Sequence, residues 1–427
     1  MNRTSSTLKK QENAYRDITE QFVIDASFLW LLRSIGVNQP HYYLDDLANI
    51  EKRIDANLDG LMCNFQQAWD ICLEELQYEQ AGETFTAAII AFRSRDIDKI
   101  KFIVEHGSCN EETFKGLVSA MAWLPKNLNR EWIDRLLYSK SLEHKYISIA
   151  LCSVLRKNPG DMVKEILTRE DCLSHPKLLI RTLRLVGELK LYACANLVQN
   201  QLGHESPAVI FWANWSLIML GEHTRVLALY DAIKEESPIQ FLALQTVFKI
   251  LPVDKARSLI SEYSTQPDLL RTMIRSIGIL GDPHAIPWLL ERMNNFETAK
   301  LAGESFTLIT GIDLERFELV IDEPEIDQQL PNDDEADQNV ALDEDENLPF
   351  PDVNKVNHTW LRYRDRYKVG SRYIMGIEVN QNTPAVVTKL NNILKQSSQR
   401  QRHSIALTLT LLNAQSPYIN TKAKGQV

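Results

Sequence analysis

A unit that recurs constrains this sequence most. Within "RSIGILGDPHAIPWLLERM", Arg275 to Met293, and the turn before it, Leu270, Met273, Ile274, Ile277 and Leu280 are spaced by threes and fours, the apolar stripe of a helix. Gly281 ends that helix. Asp282 suits the N-cap of the next, and Pro283 suits its first turn, where the missing N–H would have had no partner. Ile286, Leu289, Leu290 and Met293 form a second stripe, so the unit is a tight antiparallel helix pair with two apolar faces. One pair alone cannot bury both. Equivalent breaks fall near Arg93, Pro125, Lys157, Gly187, Gly221, Pro252, Gly281 and Gly311, at intervals of 29 to 34 residues. A two-helix unit at that period predicts an all-α chain, an α-solenoid in which each pair buries its faces against its neighbours. The expected stack runs over 81–320, with Gly187, Gly221 and Gly281 at the turns between paired helices and Leu280, Ile286 and Leu289 buried.

At 427 residues the chain exceeds one ordinary core, but stacked pairs escape that limit, and a hydrophobic fraction of 44% can supply a continuous interior. No apolar run is long enough to cross a bilayer; the closest, "AVIFWANWSLIML", carries Asn214 and reads as a buried helix. The polar start "MNRTSSTLKKQENAYRDITEQ" lacks the apolar core of a signal peptide, so a cytoplasmic protein that contacts no membrane is expected. The six cysteines, at 63, 72, 109, 152, 172 and 194, form no CxxC pair and read as reduced core residues. The nine histidines are dispersed, and no HExxH, GxSxG, GxxxxGK[ST] or GxGxxG occurs. The expectation is a non-enzyme with no metal and no cofactor.

Charge divides the rest. Residues 1–20 read as a flexible start and 21–80 as an N-terminal helical cap region. Asp322 to Asp352 holds 13 acidic residues and no Lys or Arg, which predicts an acidic flexible linker over 321–352. From Val353 onward 12 basic residues face only Asp365 and Glu378, and two helical stretches, "TPAVVTKLNNIL" and "SSQRQRHSIALTLTLL", predict a small basic C-terminal helical module over 353–427. Its candidate partner-binding residues are Trp360, Arg364, Arg372, Tyr373, Arg400 and Arg402, because arginine forks grip carboxylates and Arg with aromatic residues anchors interfaces. The competing reading ties Arg400 and Arg402 to the module's own carbonyls or to the acidic linker. Arg372, beside Tyr373 and between Gly370 and Gly376, suggests a shaped turn.

The helix pairs resemble HEAT repeats of the short, bacterial lyase-like type, most closely at "LGDPHAIPWLL". Nearly the full chain resembles a proteobacterial family of HEAT-repeat proteins often encoded within type VI secretion gene clusters, on three blocks: "RIDANLDGL" with Trp69 downstream, the run ending "FTLITGIDL", and "GSRYIMG" through "QRQRHSIALTL". The resemblance implies a non-catalytic protein-binding scaffold or adaptor, whose partner is a secretion component or an effector, in effector or spike loading. An immunity protein for a secreted toxin is the alternative within binding. A HEAT-like DNA glycosylase is the enzymatic one, given Trp123, Trp132, Trp212 and Trp215 among the repeats. Against it, the net charge is −10, and −7 remains without the acidic run and the basic tail, where a nucleic-acid site needs a clustered basic footprint. No nucleic-acid partner is expected.

Overall fold

The computed structural model describes residues 2–234, 236–322 and 344–425, with side chains from residue 15 onward. Among these residues the chain is all-α, and the only strands are Tyr373–Ile374 and Ile377–Glu378. It divides into two compact units, one made of Met1–Asn38, Tyr42–Gly221 and Gln415–Val427, the other of Gln39–His41 and Glu222–Ala414.

In the first unit the helices Ala81–Ser94, Glu111–Trp123, Leu142–Leu155, Pro176–Leu189 and Pro207–Met219 stack, each on the next. Shorter helices alternate with them in sequence, such as Ile97–His106 and Lys126–Leu137, and complete the pairs. Ala81–Ser94 is buried on nearly every side because Asn2–Gly36, Leu44–Met62 and Phe65–Glu75 cover it. The first of these helices starts at Asn2, so of the stretch expected to be flexible, the described residues 2–20 are helical instead. Pro207–Met219 is apolar all round and buried, and Asn214 is accommodated by donating to the Ile210 carbonyl at 3.0 Å.

Side chains set the helix starts. Asp96 accepts from the amides of Asp98 and Lys99, and Asn110 from that of Thr113. Pro125 and Pro252 stand immediately before Lys126–Leu137 and Val253–Glu262, as the expected breaks required. Three of the stacked helices end on a left-handed residue that is not glycine: Arg95, Arg156 and Lys190, with φ of 58°, 52° and 55°. The last of these corrects the expectation for Gly187, which lies inside Pro176–Leu189 and not at a turn. Its role is close packing, since a Cβ there would sit 2.8 Å from the Trp215 ring and 2.9 Å from the Ser216 Cα.

In the second unit Gln240–Ile250, Leu270–Leu280 and Phe296–Thr310 stack in the same manner, with Val253–Glu262 and Ile286–Arg292 as their shorter companions. Leu280, Ile286 and Leu289 are buried, as the repeat pattern requires. The two strands form a hairpin whose central residues Met375 and Gly376 both have positive φ, the condition for a type I′ turn. It docks on the ends of two stacked helices: the Tyr373 amide donates to the Gly281 carbonyl at 2.8 Å, and that of Gly376 to Ile309 at 3.0 Å. The antiparallel pair Pro384–Gln396 and Gln399–Leu412 follows.

The boundaries expected from charge fall elsewhere. Residues 353–414 belong with the helix pairs from Glu222 onward, and 415–427 with the first unit, so 353–427 is not one module. Of the acidic run, 323–343 lie outside the described residues. Its described ends are held in place: the Ile321 amide donates to Phe350 at 3.1 Å, that of Asp352 to Leu319 at 2.8 Å, and Leu348 is buried.

Candidate functional site

Five of the six residues expected to bind a partner are turned into the second unit. Trp360 is buried edge-on to Phe306, with centroids 6.4 Å apart. Arg372 donates to the carbonyls of Phe248 and Leu251, and burial lowers its pKa. Tyr373 is buried in the hairpin, its hydroxyl accepting from the Lys368 amide at 2.9 Å. Arg402 is 3% exposed and donates to the Leu394 carbonyl at 3.1 Å. Arg400 pairs with Glu304 at 2.8 Å and Asp345 at 3.6 Å, so the competing reading, arginines tied to the module and the acidic run, describes both Arg400 and Arg402. Their shared cause is the apolar density of Gln399–Leu412, which packs inward and carries its basic first turn with it. Only Arg364 presents a largely exposed guanidinium, 3.9 Å from Asp365.

Beside Arg400 lies a cavity of about 40 Å³ lined by Gln245, Arg275, Glu304, Ser305 and Ser404. Phe241, Ile279 and Leu308 also line it, so polar and apolar walls meet there.

A different arrangement stands out in the first unit, where residues 415–425 lie against residues of Pro207–Met219, Pro176–Leu189, Leu142–Leu155, Glu111–Trp123 and Leu44–Met62. The Tyr418 amide donates to the Glu188 carbonyl at 2.7 Å, and Arg156 Nε donates to the Tyr418 carbonyl at 2.5 Å. The Tyr418 ring lies between the Arg156 guanidinium, 5.6 Å away, and Trp215, 6.4 Å away. Asn420 donates to the Val154 carbonyl at 2.8 Å. Arg33 donates to the Lys422 carbonyl at 3.1 Å, and Lys422 to Asn38 at 2.6 Å. The Lys424 ammonium sits 2.7 and 2.8 Å from the two Asp55 oxygens and 4.2 Å from the centroid of the Trp123 ring. Finally, the Gly425 amide donates to Glu51 at 3.1 Å.

The track under this segment is itself rigidly held. Glu51 forms a buried ion pair with Arg33 at 2.7 Å, and Asp55 accepts the Trp123 indole N–H at 2.7 Å. Glu188 is 1% exposed; burial pushes its pKa up, but the guanidiniums of Arg184, Arg156 and Arg181 and the Ser153 hydroxyl outweigh that and leave it below the ordinary value. Its carboxylate is therefore a fixed negative charge, and it pins Arg156, whose left-handed backbone aims the side chain along the helix end. Burial likewise raises the Tyr418 pKa and lowers that of Lys422 to about 8. The arrangement is built to grip an extended chain.

Periodicity gives no sign of these residues. Of them, Asp55 lies in the block "RIDANLDGL", and Trp123 and Trp215 are among the tryptophans considered for a glycosylase. Two further observations concern the described residues. No group of three His, Cys, Asp or Glu side chains is placed to hold a metal ion, and no helix is long and apolar enough to cross a membrane. On the first unit, every exposed residue between 22 and 36 is apolar: Ile24, Phe28, Leu31 and Ile35, an uncovered ridge on Asn2–Gly36. Compared with known proteins, the chain matches no protein-family model, no curated protein and no solved structure.

Proposed function

We propose that this protein is a non-catalytic adaptor whose first unit holds an extended stretch of a partner protein on the track that runs from Trp215 to Glu51. One observation carries the reading: residues 415–425, which have no regular structure, are held at four points through their own main-chain groups, by Arg156, Arg33, Glu51 and the Glu188 carbonyl. Main-chain recognition tolerates changes of sequence, so the groups that hold this segment by its backbone suit a segment of another protein that supplies the same side-chain anchors. Stacked helix pairs of the HEAT type favour such a role, because repetition lines up helix ends into one long surface. The resemblance to proteins of type VI secretion clusters supplies the setting, the loading of an effector or spike component in the cytoplasm.

The test is cross-linking mass spectrometry on the protein purified from its own cells, with Asp55→Lys and Phe28→Glu variants run beside it. The reading expects a secretion component or effector cross-linked along the track, lost in Asp55→Lys and kept in Phe28→Glu. Cross-links confined to other surfaces, with capture intact in Asp55→Lys, would sink it.

A further inference from the structure

Nothing in the track's construction requires that its occupant be residues 415–425. Two side-chain anchors stand out among the main-chain bonds. The first takes an aromatic ring, held between Arg156 and Trp215. The second takes a cation, held by the Asp55 carboxylate and the face of Trp123, with the Arg33 guanidinium 5.4 Å from the same ring. Tyr418 and Lys424 fill them, six positions apart. Between them, the Lys422 carbonyl accepts from Arg33, and the Asn420 and Lys422 side chains donate to Val154 and Asn38.

Though bonded at many points, this segment buries little apolar surface. Residues 414–417 are exposed, Tyr418 is only part-buried by area, and Thr421 is the one residue of 415–425 that is fully buried. A stretch that buries so little apolar surface belongs to the low-stability end of a fold, where local opening precedes global unfolding. Its charge meets the track at one point, where Lys424 lies on Asp55; Glu51 and Glu188 are already paired, with Arg33 and with Arg156 and Arg184.

From these observations we infer that residues 415–425 are a resident competitor, and that the partner displacing them carries an extended stretch with an aromatic residue followed six positions later by a lysine or arginine. The inference rests on the adaptor reading above. It gives the protein a closed state, in which its own segment fills the track, and an open state in which the partner does. A partner must then bind more tightly than a segment that enjoys the high effective concentration of attachment to the same chain.

A fluorescein-labelled peptide with the sequence of residues 415–427 tests this by anisotropy. It is titrated into the full chain and into a chain ending at Ala414, whose helicity and melting are checked by circular dichroism. The shortened chain should bind the peptide at least tenfold more tightly than the full chain does. Peptides carrying Tyr418→Ala or Lys424→Glu should lose at least tenfold in affinity for it. Should the shortened chain not keep its helicity, the full chain with Lys424→Glu decides: its weakened segment should let the unmodified peptide bind several-fold more tightly than the parent allows. Equal binding by full and shortened chains, indifference of the peptide to Lys424→Glu, or no gain in the full-length variant would each overturn the inference. Failure here is distinct from failure of the adaptor reading. A partner captured on the track with an Asp55→Lys loss, yet unaffected by Lys424→Glu in the full chain, leaves the adaptor and removes the competitor.

Discussion

Two glycines that look alike in the sequence, Gly221 and Gly281, do different work. Both stand at a turn with positive φ, 108° and 75°, where an L side chain is strained. Around Gly221 an added Cβ meets nothing within 4 Å, whereas at Gly281 it would lie 2.0 Å from the Tyr373 carbonyl oxygen. Gly221→Ala should therefore cost only the backbone strain, about 1 kcal/mol, and Gly281→Ala about 2 to 4 kcal/mol, since the hairpin must also withdraw its bond to Gly281. Chemical denaturation compares them, and equal losses would contradict the docking of the hairpin. Lys249 makes a second prediction at this scale. It donates to Ser404 at 2.9 Å and Thr408 at 3.0 Å, and burial, with Arg372 nearby, lowers its pKa from 10.5 to about 7. Above pH 7 the folded protein releases this proton while the unfolded chain keeps it up to 10.5, so the folded state gains stability as pH rises through that window and loses it as pH falls back through 7. Lys190 and Lys422, each lowered to about 8, act in the same direction. Melting curves from pH 6 to 9.5 should show the rise, and Lys249→Met should remove the part that begins near pH 7.

At the scale of elements, the helix Gln399–Leu412 shows how burial redirects charge. Its apolar face lies against the array, and its first turn brings Arg400 to Glu304 on Phe296–Thr310 and to Asp345. The Glu304 pKa is raised by burial even with Arg400 beside it, so that carboxyl is poorly solvated and depends on its partner. Arg400→Ala should cost about 3 to 5 kcal/mol, the range for breaking an enclosed ion pair from one side, and it should do so in calorimetry whether or not a partner is present. A loss under 1 kcal/mol would return Arg400 to the surface role expected from sequence. The helix pairs themselves were legible, because an apolar stripe with its caps is local information: Asp282 caps Pro283–Ala285 as its sequence neighbours implied. Less legible were the αL ends at Arg95, Arg156 and Lys190, where no glycine marks the turn. Placing the break at Gly187 mistook a close approach of two helices for a stop.

For the molecule as a whole, the candidate site was almost invisible in sequence for a physical reason. Its parts come from residues 33, 51, 55, 123, 156 and 188 and from 415–425, far apart along the chain, and an extended segment bonded through its main chain leaves no periodic trace. What the sequence did carry at this scale was charge, and it bears on the last prediction. A net charge of −10 already disfavours a polyanion. The structure adds that four of the tail's 12 basic residues are taken up internally: Arg400 on Glu304, Arg402 on a carbonyl, Arg372 on two carbonyls, Lys424 on Asp55. Arg271 and Arg275 are likewise paired with Asp345 and Glu344. A duplex would have to break these pairs to use the residues in them, and three of the four tryptophans offered for a glycosylase are enclosed, Trp123, Trp212 and Trp215 being at most 8% exposed, with Trp132 half-buried. Purified protein should therefore produce no shift of a labelled duplex in a gel at physiological salt. Retardation at that salt, falling steeply as salt is raised, would show instead that a basic footprint exists which the internal ion pairs conceal.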